Sequence, residues 1–180
     1  MARILLVDDE PNVLRSLKRV LRLPGPPVLA LEAIETFESP LSALERLRDF
    51  AFDLILSDYR MPEMDGVAFL SASRQIQPDA ARLILSAQAD LKGLIGAINE
   101  AGIHRFIMKP WDDVDLRVAL AEALEHRELL LENRRLADEV RLARGLISRR
   151  ELELRRLEEE SPGITKVKWG PDGSVLLEDD

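Results

Sequence analysis

Short apolar runs without in-and-out alternation recur along the first 110 residues of this chain: Ile4–Val7, Val28–Leu31, Leu54–Leu56, Leu83–Leu85 and Arg105–Met108. A strand half-exposed to water alternates apolar and polar residues; one that is apolar throughout is covered on both faces. Between the runs lie segments with helical spacing. Val13, Leu14, Leu17, Val20 and Leu21 mark the first, closed by Leu23-Pro24-Gly25. Leu41, Leu44 and Leu47 mark the second; Val67, Phe69 and Leu70 open a third that stops near Pro78. Leu91, Leu94, Ile95 and Ile98 mark a fourth ending at Gly102, and a further helix follows Pro110. Alternating strands and helices predict an α/β, flavodoxin-like fold: five parallel strands in order 2-1-3-4-5, with helices on both faces. Ligands of such sheets gather at the carboxyl ends of the strands.

From Asp112 the character changes. Residues 112–161 hold 24 charged residues, with one glycine, Gly145, and no proline before Pro162. This reads as the last helix extended into a coiled coil. With Asn133, Val140, Ile147 and Leu154 at a, and Leu129, Leu136, Ala143, Arg150 and Leu157 at d, seven of nine seam positions are apolar. The expected division is a domain over 1–125, a dimerisation helix over 126–160, and a tail over 161–180. Thr165–Trp169, the Pro171-Asp172-Gly173 turn and Val175–Leu177 predict a β-hairpin in that tail. Glu139 at g would face Arg144 at e of a partner, which is favourable; Glu153 would face Glu158, which is not.

Acids gather where the fold expects a site. Asp8 and Asp9 follow the first strand, Asp58 the third, Ser86 the fourth, and Lys109 ends the fifth. Three carboxylates at one edge repel unless a cation or protons intervene. The chain has no cysteine, and its two histidines, His104 and His126, stand far apart in sequence. A cation held there is therefore hard and oxygen-liganded, with Mg²⁺ first in line. An acid pair, a lone acid, a hydroxyl and an ammonium suit a phosphoryl group: a carboxylate attacks phosphorus, and the cations neutralise its oxygens.

The stretches Val7-Asp8-Asp9-Glu10, Ser57-Asp58-Tyr59-Arg60-Met61-Pro62-Glu63-Met64-Asp65-Gly66, Leu85-Ser86-Ala87 and Lys109-Pro110, in this order, resemble a response-regulator receiver domain over residues 1–125. The resemblance implies that Asp58 is the phosphoacceptor and that Asp8, Asp9, Asp58 and the backbone carbonyl of Arg60 hold Mg²⁺. It implies that Lys109 pairs with the phosphate and that Ser86 and Phe106 form the switch. Serine stands where the family often has threonine. The implied donor is a histidine kinase or a phosphotransfer protein. Asp53 and Asp65 read as structural, Pro62 and Gly66 as shapers of the loop after Asp58, Trp111 as a cover for the last helix, and His104 as a surface or edge residue.

The function expected is a two-component response regulator that signals through a coiled-coil homodimer to a protein effector, with a cyclic-di-GMP enzyme as one candidate. No DNA-binding output is expected. The net charge is −8, and acids flank the pairs Arg134-Arg135, Arg149-Arg150 and Arg155-Arg156. Turnover is not expected beyond autophosphorylation and slow autodephosphorylation. The N-terminal run is too short for a signal peptide and nothing approaches a membrane span, so the expected location is the cytoplasm. Two rival readings are a Mg²⁺-dependent phosphatase with an aspartyl nucleophile and a constitutive coiled-coil scaffold with an inactive receiver. The first usually has Asp-x-Asp after its first strand; here the acids are adjacent.

Overall fold

The structure, a computed structural model, describes residues 1–25, 27–87, 101–145 and 148–160. Its strands are β1 (Ala2–Val7), β2 (Leu31–Phe37), β3 (Leu54–Asp58), β4 (Ala81–Ala87) and β5 (Arg105–Lys109). Its helices are α1 (Pro11–Arg22), α2 (Pro40–Asp49), α3 (Gly66–Ile76), α4 (Asp113–Ala143) and α5 (Arg149–Glu160). The sheet order is β2-β1-β3-β4-β5, with every pairing parallel. The flavodoxin-like topology read from the alternation is the one observed.

The sheet separates two cores, which is why its strands read as unbroken apolar runs. Ile4, Leu6, Leu54, Leu56, Leu83 and Leu85 point to one side, against Leu14, Leu17 and Leu21 of α1 and Leu116 and Leu120 of α4. Leu5, Val7, Ile55 and Ile84 point to the other, against Leu44 and Leu47 of α2 and Phe69 and Leu70 of α3. Each fully buried side chain of this size contributes about 1.5–3 kcal/mol, so the inner strands are fixed in register by both faces at once.

Side-chain caps set the helix starts. Asp65 Oδ1 accepts from Ala68 N at 2.8 Å, and Asp112 Oδ1 accepts from Val114 N at 2.8 Å and Asp115 N at 3.1 Å. Asp65 is thus the structural residue expected of it. So is Asp53, which accepts from Arg3 N at 2.7 Å and pairs with Arg127 at 2.9 Å.

Two expectations are corrected. The second strand is not Val28–Leu31 but Leu31–Phe37. It is an edge strand paired to β1 alone, so its residues are only partly covered and its apolar signal is diluted. Val28, at the head of the expected run, is 85% exposed.

The uninterrupted helix expected over 126–160 is two helices. α4 stops at Ala143, and Gly145, at φ 70°, closes it by donating its N–H to Leu142 O at 3.0 Å. Arg155 Nη1 then lies 3.0 and 3.1 Å from the two carboxylate oxygens of Asp138. In a straight helix residues 17 apart would be separated by about 25 Å. The chain therefore doubles back, and α5 lies against α4. The expected helix over Leu91–Ile98 and the tail hairpin lie outside the described residues.

Candidate functional site

The carboxyl ends of β1, β3, β4 and β5 bring Asp8, Asp58, Ser86 and Lys109 together, because the register of a parallel sheet aligns its strand ends. Val7 lies beside Ser57, Asp58 beside Leu85, and Ala87 beside Lys109. Lys109 Nζ bridges two of the acids, 2.8 Å from Asp8 Oδ2 and 2.5 Å from Asp58 Oδ1. Asp58 Oδ2 accepts from Arg60 N at 2.7 Å, and Asp8 Oδ1 accepts from Glu10 N at 2.9 Å. Asp8 is wholly buried, whereas Asp58 keeps 6% of its surface and meets solvent at the edge of the sheet.

The electrostatics follow from this burial. Removal from water pushes the Asp8 carboxyl above its ordinary range. Its bonds to Lys109 and Glu10 N pull it back only in part, and the Asp58 charge adds to the rise. Burial alone would lower the Lys109 ammonium, but its hydrogen bonds to Asp58 and Asp8, with their charges, outweigh that and raise it. Lys109 therefore stays charged throughout the physiological range.

The loop after Asp58 is pinned to the sheet. Tyr59 N donates to Leu85 O at 2.8 Å, and Gly66 N returns to Tyr59 O at 2.9 Å. A Cβ at position 66 would sit 2.0 Å from the carbonyl oxygen of Asp58, so only glycine fits. Ser86 is buried and its hydroxyl donates to Ala87 O at 3.2 Å. Phe106, on β5, is 42% exposed.

For a metal, the donor set is chemically suited: Asp8, Asp9 and Asp58 offer hard oxygens, and Lys109 offsets one of their three charges. A divalent cation would balance the rest. Among the described residues no group of three or more His, Cys, Asp or Glu side chains is already drawn together as a cage. Lys109 bridges the acid pair instead.

Some residues escaped the sequence reading. Arg82 is buried in β4 and donates to the carbonyls of Gln77, Pro78 and Gly102 at 3.1, 3.2 and 3.3 Å. Burial lowers its guanidinium to about 10, with help from Arg74. Gln77, which caps the end of α3, ties that helix to the end of α2 and the loop after it: Nε2 donates to Leu47 O and Phe50 O, and Oε1 accepts from Phe52 N. His104 and His126, distant in sequence, stand ring to ring at 5.9 Å, and burial beside Arg82 lowers His104. His104 directly precedes β5, at the end of the sheet opposite Asp58, and His126 meets it from α4.

The model of the response regulator receiver domain family matches residues 4–121. The chain belongs to that family. It is similar to the transcriptional regulatory protein GlrR of Escherichia coli K12, with 33% identity over 98% of this chain and 35% of GlrR. It is also similar to the hydrogenase transcriptional regulatory protein HoxA of Bradyrhizobium diazoefficiens, with 33% identity over 81% of this chain and 29% of that one. This chain thus spans about a third of the length of these relatives. Among solved structures, the signal receiver domain of an HD domain-containing protein from Pseudomonas fluorescens Pf-5 matches with 36% identity and a TM-score of 0.65. That match covers 73% of this chain and 92% of the other. The receiver is the input module of two-component response regulators, whose members are phosphorylated by histidine kinases. No described helix is long and apolar enough to cross a membrane.

Proposed function

We propose that Asp58 accepts the phosphoryl group of a histidine kinase or phosphotransfer protein. The observation that carries this reading is the ammonium of Lys109 bridging a sealed acid, Asp8, and an acid at the solvent edge, Asp58. Only the second is open to a donor. An Asp58 carboxylate oxygen attacks phosphorus, an O–P bond forms, the N–P bond to the donor histidine breaks, and that imidazole keeps the electron pair and takes a proton. Lys109 then turns its charge from the two carboxylates to the phosphoryl oxygens. Water later cleaves the acyl phosphate to give Asp58 and inorganic phosphate.

Asp8, Asp9 and Asp58, with the Arg60 carbonyl, would hold Mg²⁺, whose charge offsets the acids as a phosphoryl group approaches. Ser86, released from Ala87 O, would bond a phosphoryl oxygen, and Phe106 would turn toward the space behind it. Each is a small move, but phosphorylation adds a charge of roughly −2 at the sheet edge. That bias reaches α4 through Pro110 to Asp112 and thence a dimer formed through residues 126–160. The output is a protein effector, with a cyclic-di-GMP enzyme as the candidate. The acidic net charge of −8 disfavours DNA as the direct target. The chain would meet its kinase in the cytoplasm.

Incubation with acetyl phosphate and Mg²⁺ tests it. The expected product is one acid-stable, base-labile adduct per chain, absent from Asp58→Asn. Multiple turnover of a phosphomonoester would point instead to a phosphatase, and no adduct with any donor would point to a scaffold with an inactive receiver.

A further inference from the structure

At Gly145 the heptad pattern continues but the helix does not. The heptad frame runs from Leu129 to Leu157 and needs a straight helix. The chain instead breaks at Gly145 and folds α5 back, clamped by Arg155 on Asp138. Asp138 is 4% exposed and is also held by Arg141 at 2.9 Å. The returning helix is built to begin there. Ser148 and Glu151 cap each other, with Ser148 N donating to Glu151 Oε2 at 2.7 Å and Glu151 N to Ser148 Oγ at 3.2 Å.

α5 does not cover the seam. At the helical twist of about 100° per residue, Leu129, Asn133, Leu136, Val140 and Ala143 all lie within about 40° of the line opposite Asp138. The side of α4 that carries Asp138 is the occupied one. Arg127 reaches Asp53 at 2.9 Å, Arg134 reaches Asp79 at 2.6 Å, and Leu116 and Leu120 are buried against the sheet. On the far side Leu129, Leu136 and Val140 are 58%, 47% and 49% exposed. Leu154 and Leu157 of α5, also 44% and 38% exposed, belong to the same frame but not to the same surface while α5 is reversed.

We propose that this face of α4 receives a second copy of the chain, and that α5 is a latch which keeps the shared seam too short to hold. The inference rests on the dimer proposed above and assigns its surface and its control. A second copy fits because the seam is self-complementary. Glu139 at g meets Arg144 at e of the partner, both exposed, and the Asn133 pair fixes the register at a. The latched seam, residues 129–143, is two heptads, whereas a lasting coiled coil takes about three or four. Releasing Arg155 from Asp138 and straightening the chain at Gly145 adds Leu154 and Leu157 and brings the seam to four heptads, with Arg150 at d and the Glu153–Glu158 facing pair as its weak points.

Sedimentation velocity on the full chain tests this with four proteins: the natural sequence, Gly145→Ala, Asp138→Ala, and Gly145→Ala with Leu136→Asp. Alanine is strained at a positive φ and favours a helix, so Gly145→Ala tightens the dimer roughly tenfold or more. Asp138→Ala acts in the same direction by removing the clamp. Adding Leu136→Asp returns Gly145→Ala to monomer. An unchanged dimer constant in both Gly145→Ala and Asp138→Ala overturns the latch, and a dimer that survives Leu136→Asp overturns the surface. Labelling of Asp58 by acetyl phosphate in every variant shows that the receiver is folded. Its loss in the natural sequence would sink the phosphoacceptor reading and leave the latch standing.

Discussion

Replacing Lys109 with methionine keeps the length of the stem and removes the charge, so it isolates what the ammonium does for the acid pair. Two close contacts are lost, at 2.8 Å to Asp8 and 2.5 Å to Asp58. Taking one partner from a buried ion pair costs about 3–5 kcal/mol, and the partial exposure of Lys109 (22% of its side chain) places this case at about 3. For a chain of this size that lowers Tm by roughly 6–12 °C at pH 8. The loss depends on pH with a definite sign. Asp8 already has a folded pKa above its ordinary value. A raised acid stabilises the fold at low pH and loses that contribution as pH climbs through its folded pKa. Without Lys109 the rise is larger, so Asp8 takes up a proton as pH falls and the buried charge disappears. The stability gap between variant and natural protein should therefore be widest at pH 8 and close progressively toward pH 5. Lys109 stays charged across that window in the natural protein, so it adds no slope of its own. Urea unfolding at pH 5, 6.5 and 8 measures the gap. A gap below about 1 kcal/mol at pH 8, or one that does not narrow on acidification, would refute the reasoning.

Gly66→Ala drives a Cβ to 2.0 Å from a backbone oxygen that no rotamer can move, so it should cost about 3 kcal/mol or more and displace Asp58. Thermal unfolding and acetyl phosphate labelling should both fall, and a Tm within 2 °C of the parent (~0.5–1 kcal/mol) would contradict the contact. Magnesium at about ten times its Kd should stabilise the natural protein by ~1.4 kcal/mol, and Asp9→Asn should lose most of that; equal responses would remove Asp9 from the metal site. Arg82→Met leaves three carbonyls without their buried donor and should cost about 3 kcal/mol in urea unfolding while sparing labelling at 25 °C. Loss of labelling without loss of stability would show that Arg82 serves the phosphorylation site and not the frame.

The inner strands were legible because burial on two faces leaves unbroken apolar runs, Leu54–Leu56 and Leu83–Leu85, and the helical segments between them make the alternation of an α/β sheet. The gathering of Asp8, Asp58, Ser86 and Lys109 at one edge was legible for the same reason, since each follows or ends such a run. β2 was misread because an edge strand has one neighbour, and Glu32, Glu35 and Thr36 dilute its pattern. The fold-back was missed although its signals are local. Gly145 ends a helix, and Ser148 followed by Glu151 three residues on starts another. The heptad frame masks both, since a seam that continues in sequence says nothing of whether the backbone continues with it. Arg82 and the meeting of His104 with His126 had no local signal at all; they arise from contacts between β4, the turn before β5 and α4.

Borohydride trapping is the most direct measurement of where the phosphoryl group goes. An aspartyl phosphate is reduced to homoserine, and peptide mass mapping then names the position. After incubation with acetyl phosphate and Mg²⁺, homoserine should appear at position 58 and at no other acid, Asp8 and Asp9 included. Homoserine at Asp8 or Asp9, or its absence from position 58 in protein that is demonstrably phosphorylated, would contradict the central role given to Asp58.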